Sequence, residues 1–326
     1  MNAFTSVQSV GLIPVTVSKV DPVTPDTRVL TLSAPDGHHL PGFSGGSHVT
    51  VVIPTDGGTP LRNAYSLMSS PYDTSSYQIA VRRMDSGRGG SRWLHTIREG
   101  EILSITPPVN LFPLHKLGRL HIFLAGGIGI TPVFPQIEEL AQVGAAFEAH
   151  LTVHDETHAA LARRLQALYG ARVRVTLSGS EGRADFARIL ANRPLGSHMY
   201  VCGPAGMIDD ARAAARTLGW SQSHIHFEHF IEQKSGVAFE VVLARRGVTL
   251  TIPPEASILE VLEANDISIP YLCRGGACGQ CETRVIEARG KLDHHDVWLS
   301  DEAKACNSHM VPCISRMDGG TLVLDL

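Results

Sequence analysis

Residues 273–281 read CRGGACGQC. Cys273, Cys278 and Cys281 stand at C-x4-C-x2-C, with Cys306 and Cys313 following downstream. This is the spacing of a plant-type 2Fe-2S centre. Four thiolates must converge on two irons, so the loop needs small residues whose amides can turn toward sulfur. Gly275, Gly276, Ala277 and Gly279 meet that need. A zinc ribbon would normally present a second close C-x2-C pair, which is absent. The spacing leaves both Cys306 and Cys313 open as fourth ligand. The block around the loop, 237–326, begins with a hairpin pattern (FEVVLAR, VTLTIP), continues with an amphipathic helix over 257–264 and ends in the strand TLVLDL. An α+β, ferredoxin-like (β-grasp) domain is expected here, preceded by a polar linker, IEQKSG, at 231–236.

Upstream of that linker, buried-type strands (LHIFLAG, AHLTVH, VRVTL, HMYVCG) alternate with helical segments, which predicts βα units around a parallel sheet over 116–230. LAGGIGITP follows a strand and opens a helix, so Gly126, Gly127 and Gly129 allow close approach to a pyrophosphate. Such a turn is often only structural. CGPAGM supplies context, because Cys202, Gly203 and Pro204 end a later strand of the same sheet and face the same crevice. Asp155, just after AHLTVH, is placed to hold an adenosine ribose and repel a 2′-phosphate, favouring NADH; capping the helix that starts near His158 is its alternative role.

Residues 1–115 show short β-rich segments separated by Gly, Pro and Asp, the pattern of an antiparallel β-barrel with a short helix near 91–98. NAYSLMSSP and IAVRRMDSGRGGS lie in this block. Tyr65, Ser66 and Leu67 suit the ring side of a flavin; Arg82, Arg83, Arg88 and the amides of Gly89, Gly90 and Ser91 suit its phosphate. Either motif taken singly reads better as plain structure. Together with a nicotinamide site and an iron-sulfur site they imply a carrier, because hydride delivers two electrons and the cluster accepts one.

Composition narrows the class. In 326 residues, 28 Lys and Arg against 32 Asp and Glu give a net charge of -4, so no basic excess is available for nucleic acid. No run is long enough to span a bilayer, and MNAFTSVQSVGLIPV has no cationic flank, so a cytoplasmic protein with no membrane partner is expected. In a reducing cytosol, clustered cysteines point to metal or redox chemistry.

AYSL, GRGGS, AGGIGITP, CGP, FEHF, the cysteine loop and the terminal LVLDL, in this order over essentially the whole chain, resemble the phthalate dioxygenase reductase and vanillate O-demethylase reductase family, most closely the reductases of carnitine-type monooxygenases and aromatic demethylases. The resemblance implies FMN, NADH as donor, and a separate Rieske-type terminal oxygenase as electron acceptor. It favours Cys313 as fourth cluster ligand, leaving Cys306 as a structural thiol. It sets Phe230 beside the FMN with Ala80 and Thr131, and Cys202 and Glu228 near the nicotinamide and flavin. One departure stands out: the family's Arg-x-Tyr-Ser reads Asn63-Ala64-Tyr65-Ser66 here, with Arg62 one place earlier, which shifts phosphate binding toward Arg83 and the GRGGS amides. Rival readings are the same relay with FAD, service to a haem monooxygenase, or a non-catalytic redox sensor. HIHFEHF is read as strand alternation rather than a metal site, and His294 and His295 as solvated surface residues.

Overall fold

The computed structural model describes residues 11–55, 60–230 and 235–326. Most of the expected linker, 231–234, lies outside them.

The first unit is built from β1 (Ile13–Thr24), β2 (Thr27–Ser33), β3 (Ser47–Ile53), β4 (Leu61–Ser66), β5 (Ser76–Arg82), the short α1 (Gly90–Leu94), β6 (Ile102–Ile105) and β7 (Val109–Asn110). The strands pair antiparallel in the order β4-β3-β6-β1-β2-β5, with β7 added against β3. A bridge from Leu67 to Ile79 joins the end of β4 to β5 and closes the path into a barrel. Alternate residues such as Val15, Val17, Leu30, Leu32, Val49 and Val51 fill its interior.

The second unit is a five-stranded parallel sheet. It comprises β8 (Leu120–Gly126), α2 (Val133–Gln142), β9 (Phe147–Val153), α3 (Ala160–Tyr169), β10 (Val173–Leu177), short helices α4 (Ser178–Glu181) and α5 (Phe186–Leu190), β11 (Ser197–Cys202), α6 (Ala205–Thr217) and β12 (Ile225–Glu228). The order β10-β9-β8-β11-β12 reverses direction between β8 and β11, the switch point where open α/β sheets hold ligands. Register stacks the sheet face in layers: His121 beside His198, then Phe123, Tyr200 and His226, then Ala125, Cys202 and Glu228 at the carboxyl edge. Phe123, Ala125, Tyr200 and Cys202 pack with Val29, Met68, Ala80 and Phe112 of the first unit, so barrel and sheet share one core. Polar contacts rim that core: the Gly45 N–H donates to Glu139 Oε1 at 2.6 Å, Gln136 Nε2 to the Phe112 carbonyl at 2.7 Å, and the His115 N–H to the Tyr200 hydroxyl at 2.8 Å.

The third unit contains β13 (Phe239–Leu243), β14 (Val248–Ile252), α7 (Ile258–Ala264), β15 (Thr283–Arg289), β16 (Leu292–Asp293), α8 (Asp301–Cys306), β17 (His309–Met310), β18 (Arg316–Met317) and β19 (Thr321–Leu324). Its mixed sheet runs β14-β13-β19-β15-β17. A capping box starts α7: Ser257 Oγ accepts from the Glu260 N–H, and Glu260 Oε2 accepts from the Ser257 N–H at 2.8 Å. Its hydrophobic core draws only on residues of this unit.

Candidate functional site

At the switch point the two glycine motifs meet backbone to backbone. A side chain on Gly129 would collide with the Cys202 carbonyl, and one on Gly203 would lie 3.0 Å from the Gly126 nitrogen. Gly127 sits at φ +55, and Arg82 Nη1 lies 4.0 Å from where its β-carbon would be, which brings a barrel residue to this loop. Pro204 caps the start of α6. Cys202 is buried beside Glu228 on the adjacent strand. Burial, with the Glu228 charge, pushes the Cys202 thiol up, so it stays protonated and is a poor thiolate nucleophile. Glu228 is pushed up to about 8 by burial, and its Oε2 has no hydrogen-bond partner among the described residues. A carboxyl largely neutral at pH 7 and orphaned at the crevice has a proton to offer a ligand. Asp155 takes the capping role: it accepts from the His158 N–H, from Thr157 Oγ1 at 2.6 Å and from His158 Nδ1 at 2.7 Å. The Thr157 and His158 hydrogen bonds lower it to about 2, so the carboxylate is ionised.

On the barrel, Asn63 Nδ2 lies 3.4 Å from the Tyr65 hydroxyl, and its amide packs directly on Gly90. Gly90 thus joins strand β4 to the helix turn of Gly89 and Ser91. Ser66 Oγ is buried with no hydrogen-bond partner among the described residues, as suits a hydroxyl that meets a cofactor. The other candidate residues have described positions and partners of their own. Leu67 lies in the barrel core and gives its N–H to the Ser47 carbonyl at 2.9 Å, leaving none for a flavin. Ala80 lies in the core shared with the sheet. Arg82 pairs with Asp26 at 2.8 Å and Arg83 with Asp85 at 3.1 Å. Ser91 Oγ accepts from the Met84 N–H, and Thr131 Oγ1 donates to the Ile128 carbonyl. Phe230, just past β12, is exposed. Arg88 pairs at 3.0 Å with Glu260, a residue of the third unit.

The cysteine loop is assembled as its spacing predicts. Cys273 Sγ accepts from the Gly275 and Ala277 N–H groups at 3.4 and 3.3 Å, and Cys278 Sγ from the Cys273 N–H at 3.4 Å. Thiol contacts link Cys273 to Cys278 and Cys313, and Cys281 to Cys313. These contacts and the amides favour Cys273 as thiolate. Cys306 is exposed at the end of α8, so it is not a buried structural thiol, while Cys313 is buried with Cys273 and Cys281, and Cys278 is partly buried. Trp298, half exposed, lies against Gly279, where no side chain would fit, and donates from Nε1 to Glu282 at 2.8 Å.

Some participants carried no sequence signal. His48 on β3 is buried, and burial pushes its imidazole down, with the charge of Cys273 acting the other way. Arg274 pairs with Glu263 and lies over the Tyr271 ring. His294 and His295 are partly buried, not solvated: His294 Nε2 lies 3.0 Å from Asn307 Oδ1, and His295 pairs with Asp293.

A parallel-sheet crevice, a barrel carrying an orphaned hydroxyl and four convergent thiols define a flavin and iron-sulfur electron-transfer reductase. Protein-family models match in the same order: an oxidoreductase FAD-binding domain over 14–113, the N-terminal domain of dimethylamine monooxygenase subunit DmmA-like proteins over 102–225, and a 2Fe-2S iron-sulfur cluster binding domain over 241–318. The chain is 43% identical to the carnitine monooxygenase reductase subunit of Escherichia coli, covering 97% of this chain and 98% of that one. It is 42% identical to the heme-dependent oxidative N-demethylase beta subunit of Ectopseudomonas mendocina, covering 97% and 99%. The solved structure of phthalate dioxygenase reductase superposes with a TM-score of 0.87 at 31% identity, covering 99% and 100%. The chain therefore belongs to the phthalate dioxygenase reductase and vanillate O-demethylase reductase family. It is an oxidoreductase with a flavin-binding and a 2Fe-2S domain. No described helix is long and apolar enough to cross a membrane.

Proposed function

We propose that this chain is the cytoplasmic NADH-dependent reductase of a two-component Rieske-type non-haem iron oxygenase or demethylase, with FMN, NADH and one 2Fe-2S cluster as its working groups. The observation that carries the relay is the meeting of the Cys273, Cys278, Cys281 and Cys313 thiols, with the Gly275 and Ala277 amides turned toward Cys273. The flavin supplies the conversion from a two-electron hydride donor to single electrons.

In this reading Asn63, Tyr65, Ser66 and the Gly89, Gly90 and Ser91 amides hold the flavin, and Arg82 serves both the barrel and the Gly127 loop. Gly126, Gly129 and Gly203 admit the dinucleotide backbone, Asp155 contributes negative charge that disfavours a 2′-phosphate, and Cys202 packs as a neutral thiol beside the nicotinamide. Protonated Glu228 offers a hydrogen bond at the carboxyl edge. The matched barrel family is described as FAD-binding, so FMN is decided by acid extraction and mass measurement of the released flavin.

A second reading, service to a haem-dependent partner, is favoured by the 42% identity to the heme-dependent N-demethylase subunit. The two are separated by replacing, in turn, the Escherichia coli and the Ectopseudomonas mendocina reductase subunits with this chain and measuring NADH-driven turnover by each partner. Turnover only with the haem partner would overturn the Rieske assignment. An anaerobic NADH titration in which no 2Fe-2S paramagnetic signal develops would overturn the relay itself.

A further inference from the structure

Two arginine-glutamate pairs meet on one short helix. Arg88, in the loop that leads into α1, donates from Nη2 to Glu260 Oε1 at 3.0 Å, and both side chains are almost wholly buried. Three residues on, Glu263 pairs with Arg274, the residue after Cys273. Residues three apart on a helix share a face, so one stripe of α7 addresses the flavin-side loop and the cluster loop together. The helix start is tied to the other end of the cysteine set as well, since the Leu259 N–H donates to the carbonyl of Pro312, which precedes Cys313. Arg316 lies near enough to Arg88 for the two charges to repel, and its guanidinium is held by the carbonyls of Val237, Pro253 and Ala256. Glu260 thus receives a buried cation that has another cation for a neighbour, and Arg88 Nε has no hydrogen-bond partner among the described residues.

We propose that α7 is a positioning strut between flavin and cluster, latched by Arg88 and Glu260, and that the latch sets the rate of electron passage from flavin to cluster. The inference rests on the relay reading above. No bond is made or broken; the strut acts by holding the two loops at a fixed separation. If Glu260 loses its charge, Arg88 becomes an unpaired buried cation, which is relieved only by letting water reach it, that is, by parting the third unit from the barrel.

The test uses the full-length, cofactor-loaded protein. Glu260→Gln removes the charge but keeps a residue that suits the third position of a capping box. Ser257→Ala weakens the cap and keeps the ion pair. In anaerobic stopped flow with NADH, Glu260→Gln is expected to bleach its flavin at the wild-type rate while its cluster is reduced several-fold more slowly. Its radius of gyration in small-angle scattering is expected to rise. Ser257→Ala is expected to match wild type in both rates and in size. Wild-type cluster reduction and size in Glu260→Gln would overturn the strut, as would an equal slowing in Ser257→Ala, which would make the helix cap responsible. Absence of cluster reduction in the wild-type chain itself would instead sink the relay.

Discussion

The barrel touches its two neighbours in opposite ways. Against the parallel sheet it shares a continuous apolar core in which Val29, Met68, Ala80 and Phe112 pack with Phe123, Ala125, Tyr200 and Cys202. Toward the third unit one described side-chain link is the buried ion pair of Arg88 and Glu260, and the two hydrophobic cores stay separate. Apolar packing is short-ranged and costly to open, whereas a polar contact between units permits relative movement. Hydride transfer demands that donor and acceptor be held in contact. Single-electron delivery to a partner tolerates a joint that opens.

The largest effect expected from breaking this contrast is at the cluster. Cys313→Ser should remove essentially all cluster-borne electron output while leaving NADH-ferricyanide activity and the melting of the barrel-sheet unit unchanged. Joint loss of both would show that the third unit is not independent. Next in size, Phe112→Ala empties the shared core and should cost about 3–5 kcal/mol of stability, read as a lower denaturation midpoint for the barrel and sheet but not for the ferredoxin-like unit.

Acid should attack the same apolar joint from its lower end. His198 and His226 are held down to about 4, first by burial and then by the neighbouring histidines; His115, His121 and His224 act on both. His198 Nδ1 lies 2.9 Å from His226 Nε2, His115 stacks on His198 at 4.3 Å, and no carboxylate acts on either ring. Unfolding would let these rings take up protons at their ordinary value of 6.5. Their stabilisation is therefore complete above that pH and declines as pH falls toward 4. Thermal midpoints measured across that window should fall less steeply in His198→Phe than in wild type; parallel curves would exclude the stack as the acid-sensitive point. The smallest effect belongs to the rim, where Lys116 pairs with Glu139 at 2.9 Å but is largely exposed. Lys116→Ala should cost less than about 1 kcal/mol by denaturant titration.

What the sequence made legible was local. LHIFLAG predicts β8 to the residue, because a buried strand writes itself as a nearly continuous apolar run, and the alternating VRVTL does the same for the edge strand β10. The cysteine loop was equally readable, since its ligands and its amide donors are neighbours in the chain. The ion pair of Arg88 was not legible for the same reason: GRGGS looks complete by itself, and the Glu260 partner lies 172 residues away. Nothing near His48 announces Cys273. Leu67 has the composition of a flavin-facing strand, yet its side-chain direction is decided by closure of the barrel against Ile79.

Trp298 gives the molecule an optical property. The chain has three tryptophans, and this one lies on the glycine between Cys278 and Cys281 with half its surface in water. An indole so close to a strongly absorbing iron-sulfur chromophore is quenched by energy transfer when the cluster is present. Its emission therefore reports cluster loading with no added dye.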